Sequence, residues 1–269
     1  MNITSCNLTI ITYSIYLLYI LGNVNHRKKF KSVPLILLRS NMSSYTTTRP
    51  LRTSLILDVE TTGIPHRSGR EYPDPRINTL AYDQARIVQI AWIIKTEGTE
   101  DNQYEHQQIV KPDKFIIPQV TVAIHGIDTD RATKEGLSMK ETMGILRDSI
   151  ITHRPTHLVA HNLLFDKNII LAEIFRLNPL TFAGRDAFYY VFRDMKEVCT
   201  MECGREFAQI PLPSNPNKFK APKLGELYLA LTGKPMREKH DALYDTRKCA
   251  QCYYLMREIT KKLKSKTPE

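Results

Sequence analysis

The spacing of apolar positions changes several times along the chain. Leu55-Ile56-Leu57 is a short apolar run that ends in Asp58 and Glu60, one on each side of Val59. Such a run predicts a buried strand over 54–60. Side chains alternate faces along a strand, so Asp58 and Glu60 share one face, roughly 6.5–7 Å apart. Two like charges at a strand end repel each other, so the pattern calls for something positive between them.

Further strands are predicted at 86–96 (RIVQIAWIIKT, rich in β-branched residues), 104–110, 157–160 and 196–199. Helical spacing predicts helices over 139–152, 163–177 and 224–231, and a long terminal helix over 241–264. Ser138 and Glu141 fit a capping box ahead of the first of these. Gly233 and Pro235 stop the third, and Asp241 is the candidate N-cap of the last. Strands first, then strands alternating with helices, predict an α/β fold: a mixed sheet covered by helices. Segments 64–85 and 210–222 read as irregular loops, long enough to be functional or disordered. There is no internal repeat.

Charge changes the picture at one end only. The formal net charge is +10, but residues 1–57 hold seven Lys or Arg and no acid, leaving 31 basic against 28 acidic side chains in the rest. The basicity therefore describes mostly the leader and is no evidence of a nucleic-acid surface. Residues 1–50 predict a leader or tail, and 51–265 the folded domain. Residues 8–22 are apolar but shorter than the ~20 a spanning helix needs. The leader has three readings: a signal-anchor, which alone would bring membrane association, an organelle-targeting peptide, or a stretch upstream of a start at Met42. Five cysteines, Cys6, Cys199, Cys203, Cys249 and Cys252, form no disulfide framework and fit an intracellular reducing compartment, cytoplasmic, nuclear or organellar. Cys199-x3-Cys203 with Cys249-x2-Cys252 can be drawn as a zinc site, but buried core thiols are the better reading because the second pair lies in a helical pattern.

Other acids occupy exceptional positions. Leu158-Val159-Ala160 runs into His161 and Asn162, with Asp166 in the first turns of the following helix. His240 precedes the terminal helix, and Asp245 lies one turn inside it. Carboxylates thus gather at a strand end and two helix starts, where open α/β folds assemble sites.

These residues resemble the DEDDh, DnaQ-like 3′–5′ exonucleases of the ribonuclease-H-like class. The carriers are Asp58-x-Glu60 with Thr61-Thr62-Gly63, then His161-Asn162 with Phe165-Asp166, then His240-Asp241-Ala242 with Asp245. Ile124-His125-Gly126-Ile127, Cys199-Thr200-Met201 and Pro222-Lys223-Leu224 are also similar to family segments, and the likeness spans about 53–260. It implies a ribonuclease-H-like mixed five-stranded sheet flanked by helices. It also implies two Mg²⁺ (or Mn²⁺) held by Asp58, Glu60, Asp166 and Asp245, with His240 as general base, and no small-molecule cofactor. The reaction implied is release of nucleoside 5′-monophosphates from nucleic-acid 3′ ends. DNA is favoured over RNA because the later motifs are similar to the proofreading-like subgroup, and a proofreading role would need a polymerase or repair complex as partner. Thr61, Thr62, Gly63, Asn162 and Phe165 are the implied substrate contacts, although helix capping is the simpler role for Asn162 and core packing is an even alternative for Phe165. His125 reads as structural. Lys218, Lys220, Lys223, Lys234, Arg237 and Lys239 are candidate phosphate contacts whose default is a solvated face. The competing readings are an RNA-directed exoribonuclease, an endonuclease on the same sheet, and a non-catalytic nucleic-acid-binding module.

Overall fold

The computed structural model describes residues 51–67, 69, 71–98, 103–182, 184–237 and 240–265. The leader, Met42 and Lys239 lie outside the described residues. Strand β1 (Thr53–Thr61) pairs antiparallel with β2 (Ile87–Thr96), which pairs antiparallel with β3 (Gln103–Ile109). On its other edge β1 runs parallel to β4 (His157–Ala160), and β4 runs parallel to β5 (Lys196–Cys199). The result is a mixed five-stranded sheet of order β3-β2-β1-β4-β5.

Alternation along β1 and β2 divides the sheet into two faces. Leu55, Leu57, Val59, Ile90, Trp92 and Ile94 belong to the larger core, beneath helices α3 (Met139–His153), α4 (Leu163–Arg176) and α5 (Arg185–Asp194). Ile56 and Ile93 pack on the opposite face, against Cys249, Ala250 and Tyr253 of the terminal helix α9 (Ala242–Lys264). Asp58 and Glu60 continue the Ile56 face, and Gln89 and Ala91 continue the Ile93 face.

The expected elements form within a residue or two at each end. Ser138 and Glu141 make the predicted capping box, and the Asp241 carboxylate accepts from the Tyr244 N–H as N-cap of α9. Three helices were not legible in the spacing: α1 (Gln119–His125), α2 (Thr129–Glu135) and α5. The first two are short, and α5 (RDAFYYVFRD) mixes charge with aromatics. Between β5 and the next long helix, α8 (Leu224–Thr232), come two single turns, α6 (Thr200–Cys203) and α7 (Arg205–Ala208). Segment 210–222 is not irregular: Pro211–Leu212 and Asn215–Phe219 pair as a small antiparallel hairpin, β6 and β7. Three prolines, Pro211, Pro213 and Pro216, among its polar residues hid the alternation. Segment 64–85 contains a 3₁₀ turn, Thr79–Tyr82, capped by Asn78. No helix among the described residues is long and apolar enough to cross a membrane.

A buried ion pair ties the 64–85 segment, an insertion between β1 and β2, to the larger core. The Glu173 carboxylate on α4 is fully buried and accepts from the Arg86 Nε at 2.7 Å, with Arg176 at 3.4 Å on its other side. Arg176 also donates to the Thr79 carbonyl and to Asp83. Removing one partner of such a pair leaves a buried charge poorly compensated. Arg86→Met should therefore destabilise the chain by about 3 kcal/mol. Urea unfolding should show this as a lower midpoint with an unchanged slope.

Candidate active site

Strand β1 outruns its parallel neighbour. Pairing with β4 stops at Ile56↔Val159, two residues before Asp58. The Val59 N–H, which has no β4 residue opposite, donates instead to Asp166 Oδ1 at 3.2 Å. The chain turns from β4 into α4 through His161 and Asn162. Asn162 takes a left-handed conformation (φ 70°, ψ 50°), which Asn tolerates better than most residues. Its side chain makes no capping hydrogen bond, which corrects the capping role expected for it. His161 fixes the turn from both ring nitrogens: Nε2 donates to the Pro222 carbonyl at 3.1 Å, and Nδ1 accepts from the Thr200 hydroxyl at 3.0 Å. Burial holds this imidazole neutral, with its pKa down to about 4. One histidine therefore joins three segments that are separate in sequence.

A bulge shapes the other edge of β1. Glu60 pairs with Gln89 but Thr61 pairs with Ile87, so Val88 is an extra residue on β2. Bulges of this kind re-aim side chains at sheet ends. The turn beyond is closely held. Thr61 Oγ1 donates to the Gly63 carbonyl, and Thr62 Oγ1 donates to the Gln84 carbonyl while accepting from the Arg86 N–H. The Thr62 N–H donates to the Arg86 carbonyl. The Thr61 hydroxyl thus donates within the turn and the Thr62 hydroxyl to the 64–85 segment, and the expected substrate contact of Thr61–Gly63 is its main chain. A Cβ on Gly63 would lie 2.7 Å from the Gln84 carbonyl oxygen, so close approach to the insertion demands glycine here.

The third limb is the start of α9. Ligand-type atoms of Glu60, His240 and Asp245 all lie within 4.8 Å of one another. His240 is exposed, Glu60 half-buried and Asp245 buried. Asp58 and Asp166 lie outside that close group, but Asp58 is within reach of the neighbouring charges: Asp166, Glu60, Asp245 and Asp241 all bear on it. Burial first, then this repulsion, pushes Asp58 well above the usual carboxylate range. Burial, opposed by the Val59 N–H, does the same to Asp166. Glu60 rises to about 7 through burial and Asp241, and Asp245 to about 7 through burial, Glu60 and Asp241.

Asp241 was expected only as a cap, yet its charge acts on three of the four acids. Gln89 and Gln107 were also missed. Gln89 is 5% exposed, and its Oε1 accepts from the Ala242 N–H at 3.0 Å. Gln107 Nε2 donates to the free oxygen of Asp241 at 3.1 Å. The available signal was Gln89 itself, one amide in the apolar run IVQIAWII, which has to find a partner once buried.

The remaining candidates take quieter positions. Phe165 is half-buried against the larger core, while Leu164 beside it is 57% exposed. His125 ends α1 buried, its Nδ1 accepting from the Ile127 N–H, and burial and His240 lower its pKa. Lys220 is paired with Glu226, whereas Lys218, Lys223, Lys234 and Arg237 lie on the solvent side with at most part of the side chain covered. Cys249 and Cys252 are buried in the packed face of α9.

The acidic group fits a hard divalent cation. Oxygen donors from separate elements converge, and buried Asp245 Oδ1 has no hydrogen-bond partner among the described residues. An anionic oxygen left without a donor is satisfied by a cation.

The fold is shared with solved exonuclease structures. E. coli exonuclease I in complex with a dT13 oligonucleotide aligns with a TM-score of 0.55 at 19% identity, over 80% of this chain and 43% of that one. A product-bound exonuclease I aligns at 0.54 and 18%, over 77% and 43%. Exonuclease I from Methylocaldum szegediense aligns at 0.52 and 19%, over 77% and 40%. This chain thus spans about two fifths of the length of those proteins. No curated protein matches it. The RNase_T exonuclease family matches residues 55–253, which include every acid of the site and His240, and the chain belongs to that family.

Proposed function

We propose that residues 51–265 are a metal-dependent 3′–5′ exonuclease domain that hydrolyses the terminal phosphodiester of nucleic acid and releases nucleoside 5′-monophosphates. The observation that carries this reading is the convergence of Glu60, His240 and Asp245 within 4.8 Å, beside Asp58 and Asp166, in a chain of the exonuclease family. DNA is the favoured substrate. Exonuclease I, whose fold this chain shares, has been seen with dT13 and dA16 oligonucleotides.

Asp58, Glu60, Asp166 and Asp245 would hold two Mg²⁺ or Mn²⁺. Bound there, the ions supply charge for the attacking and leaving oxygens of the phosphodiester. His240, exposed at the rim, takes the proton of the attacking water; an imidazole suits this because its ordinary pKa lies near neutrality. Asp166 stays aimed through its bond to the Val59 N–H. The main chain at Thr61–Gly63, stiffened by its own hydroxyls, receives the terminal nucleotide. The Thr62 hydroxyl contributes by anchoring that turn to the 64–85 segment. The Asn162 amide and the Phe165 ring edge flank the strand's path. A proofreading role would add a polymerase or repair complex as partner.

Asp58→Asn should lower Mg²⁺-dependent release of labelled 3′ nucleotides by about 10³-fold, because metal charge stabilisation is worth several kcal/mol and each ~1.4 kcal/mol is tenfold. The same change removes a repelled carboxylate, so without metal at pH 8 the variant should melt higher than the parent. Single-stranded DNA, mismatched duplex and RNA, each labelled at either end, decide the substrate. Internal cuts would indicate an endonuclease, and binding without Asp58-dependent cleavage a non-catalytic module.

Stability should also depend on pH in a definite direction. Folded Glu60 and Asp245 titrate at about 7, and unfolded carboxylates near about 4. The folded chain then binds the extra protons, so the contribution of these groups is full below about 4 and lost as pH rises past about 7. Without metal, the melting temperature should fall from pH 5 to pH 8. Saturating Mg²⁺, which binds the deprotonated acids, should flatten or reverse that slope. A metal-free melting temperature that rises over the same range would contradict the raised acids.

A further inference from the structure

We infer that Gln89 and Gln107 are positioning residues: they fix the start of α9 on the sheet, and through it the aim of His240 and Asp245 at Glu60. The inference rests on the exonuclease reading for its catalytic consequence, and on geometry alone for the clamp.

The two glutamines lie on the same sheet face as the acids. Gln89 is the cross-strand neighbour of Glu60, and Gln107 stands in the row Asp58–Ala91–Gln107. Cross-strand neighbours share a face, so β1 supplies the acids and β2 and β3 supply the amides. Between them, Ala91 is fully buried and small, which lets the helix start sit low on the sheet. Each amide makes one directed bond to the first residues of α9: Gln89 Oε1 accepts from Ala242, and Gln107 Nε2 donates to Asp241. The other Asp241 oxygen accepts from Tyr244, so that carboxylate is held on both sides.

Among the described residues His240 has no such bond of its own. It lies directly before Asp241, on the exposed side of the cap, and takes its position from the backbone that the clamp holds. Asp245, one turn on, is placed by the same rigid helix start, its N–H donating to the Asp241 carbonyl. Beyond the first turn α9 has separate braces, Arg247 to Glu105 in the second turn and Arg257 to Glu97 in the farther half. Loss of an amide contact should therefore loosen the first turn and leave the helix docked.

The test uses Gln89→Leu and Gln107→Met in the full chain, alone and combined with His240→Ala. Misplacing a reacting group by about 1 Å costs about 10²-fold. Each single variant should lose about ten- to a hundredfold in kcat, while KM moves less than about threefold. In the His240→Ala background the same substitutions should cost clearly less than in the wild type, because part of their effect passes through His240 and only the part that passes through Asp245 remains. In wild type kcat should level off where the base is fully deprotonated; in the single variants it should keep rising with pH as hydroxide replaces base-assisted water. An equal kcat loss with and without His240, or a KM rise at constant kcat, would overturn the inference.

Two readouts need no turnover. Mn²⁺ affinity by calorimetry should weaken about five- to tenfold in both variants as Asp245 leaves Glu60, and amide exchange should quicken at 242–246 but not at 249–257. If the wild type cleaves nothing, the exonuclease reading fails by itself. Unchanged Mn²⁺ affinity and unchanged exchange would then reject the clamp as well. Gln107→Met lies at a half-exposed site, so it reports even if the buried Gln89→Leu change impairs folding.

Discussion

Carboxylates gathered in a partly buried space repel one another, and the surrounding fold is arranged around that repulsion. Asp58, Glu60, Asp166 and Asp245 all titrate above the usual carboxylate range, and burial is the leading cause for each. A protein selected for stability alone would not keep four acids there. Their repulsion is offset in part by two helix starts, since α4 and α9 both begin at the cluster and turn their positive ends towards it. The Val59 N–H offsets a little more at Asp166. What remains is an anionic hole whose Asp245 oxygen has no partner among the described residues, which is the condition a divalent cation relieves.

The backbone irregularities around the site follow from the need to reach one point from several elements. β4 stops short, which frees the Val59 N–H and opens a gap through which α4 delivers Asp166. β2 carries an extra residue beside Glu60, which breaks the ladder where the acid must aim away from its neighbours. Asn162 takes a left-handed turn to reverse the chain within two residues. Each departure is local, and each is bonded to something distant: His161 to Thr200 and Pro222, Thr62 to Gln84 and Arg86. The insertion and the hairpin segment are thus held against the site, and neither is an appendage to it.

How far this was legible in the sequence differs by residue. Apolar period gave the five strands and the long helices, because those elements are set by which face they bury. The strand-end acids, the cap at Asp241 and the capping box at Ser138 were also legible, since each rests on chemistry within a few residues. α1 and α2 were not, being too short for periodicity to accumulate. The hairpin at 210–222 was hidden by its prolines, and the role of Thr62 by a partner 22 residues away. Gln89 was visible as an anomaly but not as a contact. Its partner, Ala242, is 153 residues distant, and nothing in the strand's own spacing points there.

The unequal size of the two cores explains why such distant polar contacts matter. The face covered by α3, α4 and α5 carries most of the buried apolar surface and with it most of the cohesion. The opposite face meets α9 through a smaller cluster centred on Ile56, Ile93 and Tyr253, which touches the first turn through the partly buried Leu243. Apolar contact is non-directional, so it can hold α9 on the sheet without fixing the azimuth or depth of its start. Hydrogen bonds are directional and can do both. A site that needs His240 and Asp245 placed within about 0.5 Å therefore requires directed polar anchors beside that apolar contact, and this chain places two amides and a carboxylate there.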